Sequence, residues 1–287
     1  MNSGNNNLPL FDALPPAVAK GQLRELWHSV FGDSYEYIDA FFATYRCEDV
    51  VHTLSLGGMV VSSLYALPFT LYYGGKGFAA AYIYAVATAP EYRGRGYMAL
   101  LMKNVERLLA DNGVRFIYLL PASDSLRAYY ARLGYADCSS RALERFYFVD
   151  SRPVSSVLVR VSSADEIYSS WVGWQAAAAP VVIHSRELLS MNMVSCKMQG
   201  GGCFVARQGG VSMAAAFVIM EKGSPLLLDI RGCSECACAE LKSLLCGYYK
   251  VDVINLLVAG SGSSLCMGRT LGDALPATID ISLMLDK

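Results

Sequence analysis

A long stretch almost without charge constrains the fold of this chain most. Between Val51 and Pro90 the only Lys, Arg, Asp or Glu residue is Lys76. Such a stretch belongs either to buried strands or to a membrane-spanning helix, which needs roughly 20 apolar residues in a row. Glycine pairs and a proline interrupt it, and Val, Tyr, Phe and Thr dominate between the breaks. These features predict strands joined by turns, with a membrane protein as the less favoured alternative.

The spacing of apolar residues predicts alternating helices and strands over the whole chain. The predicted helices are Leu23–Phe31, Tyr35–Tyr45, Met98–Asn112, Ser123–Leu133, Asp165–Trp174, Arg186–Val194, Ser234–Gly247 and Ser264–Leu271. The predicted strands are His52–Leu56, Val60–Leu67, Phe78–Thr88, Arg115–Leu120, Leu143–Val149, Cys203–Ala206, Met213–Met220, Leu226–Ile230, Val251–Val258 and Ile279–Leu285, with Thr70–Tyr73 as a short extra piece.

The second half of the chain repeats the element order of the first half in outline. This repetition predicts an α/β (α+β) protein of two similar domains, each with a mixed, largely antiparallel sheet flanked by helices. The expected domains are residues 1–150 and 151–287, with the boundary region at Ser151–Pro153.

Composition limits the class of protein. A net charge of −1 gives no bulk attraction to nucleic acid or to acidic membranes. The start of the chain lacks the basic and apolar segments of a secretory signal. Nine cysteines, an odd number, are best explained as reduced thiols. We therefore expect a cytoplasmic protein without nucleic-acid or membrane partners.

The strongest local motif is Thr88-Ala-Pro-Glu-Tyr-Arg-Gly-Arg-Gly96, between a predicted strand and a strongly amphipathic helix. Glycines allow close approach of a ligand to the backbone, and the first turn of a helix presents free N–H groups to anions. Together they predict a cradle for a pyrophosphate, to which Arg93 and Arg95 add positive charge. On its own, the motif could also be an exposed basic turn.

A second motif, Tyr129-Tyr-Ala-Arg-Leu-Gly-Tyr135, closes a helix just before a strand. With both motifs in order, residues 20–150 resemble the GNAT acetyltransferase superfamily. The family's phosphate loop, Arg/Gln-x-x-Gly-x-Gly/Ala, is matched by Arg93 and Gly96, whereas Met98 stands where Gly or Ala is usual. The family's second motif is a Tyr, three further residues, a Gly and an aromatic residue. Tyr130, Gly134 and Tyr135 match this motif.

The resemblance implies an N-acetyltransferase that uses acetyl-CoA as co-substrate and no metal. It implies that the backbone of Val86, Ala87 and Thr88 pairs with the pantetheine arm, and that Ser125 lies near the pantetheine or its thiol end. It also implies that Tyr130 protonates the departing thiolate. The amides implied to hold the pyrophosphate are those of Gly94, Arg95, Gly96, Tyr97, Met98 and Ala99.

Chemistry supports the role that the resemblance gives to Tyr130. A thiolate leaving group has a solution pKa near ~8.5, and a phenol with a pKa of about 10 can donate to it as charge develops. The oxyanion needs a fixed donor, which a strand-end N–H near Val86 could supply. We name no general base, because the candidates are more typical of surface charges. They are Asp33, Glu36, Glu48, Asp49 and the C-terminal carboxylate of Lys287.

The second half is predicted to keep the fold without the chemistry. Arg231-Gly-Cys-Ser-Glu235 occupies the place of the phosphate loop, lacks a second glycine and puts an acid at the helix start. Pairing Leu271-Gly272 with Leu133-Gly134 sets Gly268 opposite Tyr130. Cys233, Cys236 and Cys238 could be half of a zinc site, although small buried thiols at a helix start fit as well.

Three points stay open at the level of sequence. The acceptor is a small-molecule or peptide amine whose identity the sequence does not give, and a homodimer is possible. A non-catalytic acyl-CoA-binding sensor is the alternative function. The aromatic residues Tyr35, Tyr37, Phe41 and Phe42 are either core packing or a wall of the acceptor site, and His28, His52 and His184 are interpreted as structural.

Overall fold

The computed structural model describes residues 8–12, 14, 16–148, 155–177, 180–260, 262–272, 276 and 278–282. The predicted boundary at 151–153 and the carboxylate of residue 287 lie outside them. The chain forms two compact units, and each is assembled from separate segments. Unit 1 comprises Met1–Thr70, Phe78–Ala136 and Met267–Leu275, and unit 2 comprises Leu71–Gly77, Asp137–Cys266 and Pro276–Lys287.

Helices and strands alternate along the chain as follows. The helices are α1 (Pro16–Phe31), α2 (Tyr35–Thr44), α3 (Cys47–Val50), α4 (Tyr97–Asp111), α5 (Asp124–Arg132), α6 (Tyr168–Ala176), α7 (Arg186–Met198) and α8 (Glu235–Tyr249). The strands are β1 (Leu10–Phe11), β2 (Val51–Leu56), β3 (Met59–Tyr73), β4 (Lys76–Thr88), β5 (Phe116–Leu119), β6 (Ala136–Tyr147), β7 (Val157–Val161), β8 (Val181–Ile183), β9 (Gly202–Gln208), β10 (Val211–Glu221), β11 (Ser224–Gly232), β12 (Val253–Ala259) and β13 (Ser263–Thr270). Short 3₁₀ turns lie at Pro90–Tyr92 and Ala164–Glu166.

In unit 1 the strands follow the order β1-β2-β3-β4-β5, and the end of β13 is added beside β5. β2 runs antiparallel to β1 and β3, whereas β4 and β5 are parallel. β13 pairs antiparallel with β5, from Met267 opposite Leu119 to Thr270 opposite Phe116. A strand from the end of the chain therefore completes the sheet of unit 1.

Unit 2 uses the same arrangement of strands. β7, β9, β10 and β11 are successively antiparallel, β12 is parallel to β11, and β6 runs antiparallel to β12. The strand beside β12 thus comes from the first half of the sequence, just as the strand beside β5 comes from the second half.

The predicted fold class is confirmed, and most predicted elements are found. The nearly uncharged stretch forms β2, β3 and β4, and Ser163 and Glu166 form the capping box that the sequence predicts. No helix within the described residues is both long and apolar enough to cross a membrane.

One predicted element near the end of the chain is wrong, and another lies partly outside the described residues. Ser264–Leu271 was expected to be a helix and is strand β13, because β5 offers backbone partners that override a weak local preference. The correspondence between Gly268 and Tyr130, which depended on that helix, is therefore also wrong. Of the expected strand at residues 279–285, the described part forms one bridge, between Asp280 and Val181.

Candidate active site

Strands β4 and β5 separate at the level where the site is built. Their parallel pairing covers Ala80–Tyr82 of β4 and Phe116–Tyr118 of β5, whereas β4 continues to Thr88. Side-chain hydrogen bonds in residues 83–88 join the Tyr84 hydroxyl to that of Tyr37 in α2, the Ala87 carbonyl to Ser62 of β3 and the Thr88 carbonyl to Arg93 of the following loop. The pairing of β4 with β5 thus ends at Tyr82, well before β4 ends at Thr88.

A backbone irregularity marks the same part of β4. Ala85 has a φ of 45°, in the left-handed region that residues with a Cβ rarely adopt. Strand residues alternate between faces, yet Ile83 and Val86 both pack with the cluster under α4 and α5. One extra residue, Ala85, accounts for this shift, as in a β-bulge. No residue type in this stretch indicates the bulge, because alanine does not favour a positive φ.

The loop after β4 forms the predicted cradle. Gly94 and Gly96 have φ values of 75° and 78°, and no atom lies within 4 Å of where a Cβ would stand. Gly96 is the N-cap of α4, so no side chain caps the helix, and its first turn contains no acid. The N–H groups of this turn are available to an anion, which the helix dipole favours.

Arg93 and Arg95 brace the loop through its own backbone. The Nε atom of Arg93 donates to the carbonyl of Thr88 at 3.1 Å, and an Nη2 atom of Arg95 donates to the carbonyl of Glu91 at 3.1 Å. Both residues are exposed. Their charges thus lie beside the start of α4 and contribute to a positive potential there.

Tyr130 lies near the end of α5 and is buried, with 5% of its surface exposed. Its ring contacts those of Tyr129 and Tyr135, with centroids 5.6 and 5.9 Å away. Among the described residues no group forms a hydrogen bond with its hydroxyl. Burial, with a smaller contribution from Tyr129, raises the pKa of this hydroxyl above its ordinary value, so it stays protonated at neutral pH.

One hydrophobic cluster unites the predicted site. Tyr130 is part of its buried core, and Val86, Tyr97 and Met98 pack against it. Ala87 is buried in β4, Ala99 follows in the first turn of α4, and Ser125 is exposed in the first turn of α5. The Ser125 hydroxyl bonds to that of Ser123, 2.9 Å away, which caps α5.

The first helical region contributes core packing. Phe41 and Phe42 are buried against the Trp27 ring, and Tyr37 is buried with its hydroxyl 3.3 Å from that of Tyr84, so these three side chains contribute to core packing. Asp33 is buried too, and its carboxylate accepts a hydrogen bond of 2.7 Å from the Trp27 indole. The other described base candidates, Glu36, Glu48 and Asp49, are exposed, as expected for surface charges.

Cys233 precedes α8 and is exposed, as is Cys236, whereas Cys238 is half-buried. The described residues contain no group of three or more His, Cys, Asp or Glu side chains arranged to hold a metal. All nine cysteines lie in the described ranges, where each is a free thiol.

Known proteins share this arrangement. Residues 20–138 match the family model of the acetyltransferase (GNAT) domain. This segment is a GNAT acetyltransferase domain. The GNAT domain contains the cradle and Tyr130, so the chain contains an acyltransferase unit. No curated protein sequence matches the chain.

Solved structures support the GNAT fold over nearly the whole chain. A probable N-acyltransferase from Enterococcus faecalis aligns with a TM-score of 0.75 at 17% identity, over 92% of this chain and 73% of that chain. A GCN5-related N-acetyltransferase from Anabaena variabilis gives 0.74 at 14% identity, over 92% and 73%. The N-myristoyltransferase of Saccharomyces cerevisiae, with bound myristoyl-CoA, gives 0.54 at 12%, over 91% and 84%. Identities this low establish a shared fold alone.

Proposed function

We propose that this protein transfers an acetyl group from acetyl-CoA to a primary amine, in a direct attack assisted by Tyr130. One observation carries the proposal. Val86 at the end of β4, Tyr97 and Met98 at the uncapped start of α4, and the buried Tyr130 pack in one hydrophobic cluster inside the segment that matches the GNAT model. Each supplies a different part of what acyl transfer from a thioester requires.

The cradle fits the diphosphate of acetyl-CoA. The amides of residues 94–99 would hold the pyrophosphate, since they lie around left-handed glycines and an uncapped first turn. The backbone of residues 86–88 would pair with the pantetheine arm as an added strand would. Ser125, at the start of α5, would contact the arm near its thiol end.

The reaction then needs two functions from this chain, which are stabilisation of the oxyanion and donation of a proton to the leaving sulfur. A neutral amine forms a bond with the carbonyl carbon, and a backbone N–H beside the Ala85 bulge would stabilise the oxyanion. The carbon–sulfur bond breaks, and the sulfur takes the proton of the Tyr130 hydroxyl. The nitrogen of the new amide loses its extra proton to water, and the Tyr130 phenolate regains a proton from water before the next turnover. The raised pKa keeps that proton in place at neutral pH until negative charge develops on the sulfur.

We propose further that residues 1–150, with the end of β13 added to their sheet, supply the transferase, and that the rest of residues 151–287 is a GNAT-like companion without acyl transfer. The acceptor is a small-molecule or peptide amine. Cytoplasmic location and pairing of two copies stay predictions, and light scattering after gel filtration measures the pairing directly.

Thiol release from acetyl-CoA, measured against a panel of amines, tests the proposal. Wild type is compared with Tyr130→Phe, and acetyl-CoA binding is followed by calorimetry in both. Tyr129→Phe is the matched control, because Tyr129 is adjacent in α5 but only half-buried. We expect kcat to fall at least tenfold in Tyr130→Phe with unchanged affinity for acetyl-CoA, and to stay within twofold in Tyr129→Phe.

Other outcomes discriminate between the alternatives. Binding of acetyl-CoA without turnover on any amine would favour the sensor function. Equal activity in Tyr130→Phe and wild type would remove Tyr130 as the acid. A lack of acetyl-CoA binding would contradict the cradle itself.

A further inference from the structure

A residue from the end of the chain fastens the helix that carries Tyr130. Arg269 lies in β13, yet it belongs to unit 1 together with α4 and α5. Its Nη1 atom donates to Glu106 Oε2 at 2.8 Å and to the carbonyl of Leu133 at 2.9 Å. The guanidinium thus joins a side chain of α4 to the last turn of α5.

The same link reaches the aromatic residue of the second motif. The Tyr135 hydroxyl donates to Glu106 Oε1 at 2.9 Å, so both oxygens of this carboxylate are used within unit 1. Glu106 is largely buried, with 13% of its side chain exposed, which limits competition from water. Arg269 therefore restrains the motif on both sides of Gly134, at the Leu133 carbonyl and through Glu106 at Tyr135.

Tyr130 depends on this turn for its position. Its carbonyl accepts hydrogen bonds from the N–H groups of Leu133, at 2.9 Å, and Tyr135, at 3.1 Å. Gly134 between them has a φ of 90°, which ends the helix in the left-handed region. A cation at the carboxyl end of a helix also interacts favourably with the helix dipole.

We infer that Arg269 is a positioning residue that holds Tyr130 in place for proton donation. This inference rests on the proposed function of Tyr130 as the acid. A shift of about 1 Å in a reacting group can cost on the order of 100-fold in rate, so a loosened turn should lower kcat. The cradle at α4 does not involve Arg269, so acetyl-CoA affinity should stay unchanged.

A double-mutant cycle tests this inference in the full-length chain. Arg269→Met is made in wild type and in Tyr130→Phe, and kcat and the KM for acetyl-CoA are measured in all four proteins. We expect Arg269→Met to lower kcat about tenfold in wild type and less than twofold when Tyr130 is already absent. Arg132→Met is the matched control, because Arg132 lies exposed in the same helix. It should leave kcat within twofold.

Hydrogen exchange gives a second test of the inference that does not depend on catalysis. Hydrogen exchange of the amides of residues 133–135 should speed up at least tenfold in Arg269→Met and less in Glu106→Gln, while exchange in the middle of α4 stays unchanged. Unchanged exchange at these amides would overturn the inference, as would an equal loss of kcat in both backgrounds. Wild-type activity in Tyr130→Phe would instead contradict the proposed acid, and with it the inference.

Discussion

The segments β4–α4–β5 and β11–α8–β12 have the same topology, but only the first has a helix start suited to bind an anion. In unit 1, β4 leads through a loop into α4 and then into β5, which is parallel to β4. In unit 2, β11 leads through a turn into α8 and then into β12, which is parallel to β11. The order and the direction of the strands agree, so the differences lie in a few side chains.

The starts of the two helices differ in what satisfies their N–H groups. α4 begins after Gly96 in the left-handed region, with no side-chain cap. α8 begins after Ser234, whose hydroxyl accepts a hydrogen bond from the Ala237 N–H at 3.1 Å, and Glu235 occupies its first turn. A hydroxyl and a carboxylate of unit 2 therefore stand where an external anion would bind in unit 1.

The gaps between the parallel strands differ too. β11 and β12 pair only at Leu226 and Leu227, and beyond this point residues near the end of the chain bind β11. Arg231 contacts Asp229 at 3.1 Å, Asp280 at 2.8 Å and the Ser282 hydroxyl at 3.0 Å. Arg141 donates to the Leu228 carbonyl at 2.9 Å. Unit 2 thus has buried ion pairs along this length of β11, whereas the side-chain hydrogen bonds of β4 beyond Tyr82 involve the Tyr84 hydroxyl and the carbonyls of Ala87 and Thr88.

Ser282 and His184 are neighbours in this network, and their hydrogen bonds show that they have a structural role. The Trp171 indole donates to His184 Nδ1 at 2.9 Å, so the proton of neutral His184 is on Nε2, which lies 3.3 Å from the Ser282 hydroxyl. Ser282 in turn donates to Asp229 at 2.5 Å. Because His184 donates to Ser282, it cannot accept the proton of that serine. The chain of hydrogen bonds stabilises unit 2 and does not activate a nucleophile.

The largest predicted effect comes from removing the cation of this network. Burial alone would lower the pKa of Arg231, but Asp229 and Asp280 outweigh it and raise the pKa. Arg231→Met leaves both carboxylates buried without their partner, which should cost unit 2 about 3–5 kcal/mol. In calorimetry, the midpoint temperature for the unfolding of unit 2 should be lower by about 10 °C in this variant. Arg186→Met, which removes an exposed ion pair with Asp165, is the control and should change the transition by less than 2 °C, at a cost of under about 1 kcal/mol. Equal shifts in both variants would contradict the comparison.

The second-largest predicted effect is a loss of stability of unit 2 as the pH decreases. Burial lowers the pKa of His184 to about 3, whereas the unfolded chain has the ordinary value near ~6.5. Between these values the unfolded state binds a proton that the folded state does not. Stability is therefore greatest above pH ~6.5 and falls by roughly 1.4 kcal/mol per unit as the pH decreases. Burial opposes ionisation of Asp229, but Arg231 and Arg141 keep its pKa below the ordinary value, so its loss of stability follows only below about pH 4.

Hydrogen exchange of α6 and α7 at pH 7 and pH 5, corrected for the intrinsic rate, measures this dependence. Protection should fall by on the order of 2 kcal/mol over this range, since the slope applies mainly below pH ~6.5. The dependence should disappear in His184→Phe and persist in His52→Gln, which alters a histidine of unit 1. A slope that survives in His184→Phe would mean that another group titrates.

The sequence predicted local elements well and long-range pairing poorly. The glycine-containing loop after β4 and the helices α4 and α5 follow from local rules and are confirmed. Strand β13 could not be predicted, because its reason to be a strand lies in β5, more than a hundred residues earlier in the chain. The contacts of Arg269 could not be predicted for the same reason, since nothing near it in sequence indicates Glu106 or Leu133 as partners.

The bulge at Ala85 and the network of unit 2 were missed for other reasons. Alanine carries no preference for a positive φ, so only the packing of the strand reveals the bulge. In the sequence, nothing distinguishes Asp229, Arg231 and Asp280 from charged residues at the surface. Only the structure shows that they are buried together as ion pairs.

The smallest predicted effect tests the comparison at the helix start itself. Tyr97 is the first residue of α4, as Glu235 is of α8. Tyr97→Glu would give α4 the acid that α8 already has, which favours the helix but repels a bound diphosphate. We expect the Kd for acetyl-CoA to rise about tenfold, or about 1.4 kcal/mol, in calorimetry.

Tyr97→Gln is the matched control, because it removes the ring without adding charge. It should keep the Kd within threefold, and the penalty in Tyr97→Glu should shrink as salt is raised from 50 to 500 mM, since ions screen exposed charges. The reverse change, Glu235→Gln, should create no acetyl-CoA site in unit 2, because the Ser234 hydroxyl still caps α8. Equal losses in Tyr97→Glu and Tyr97→Gln would show that the ring contributes by packing, and that charge at the helix start does not separate the two units.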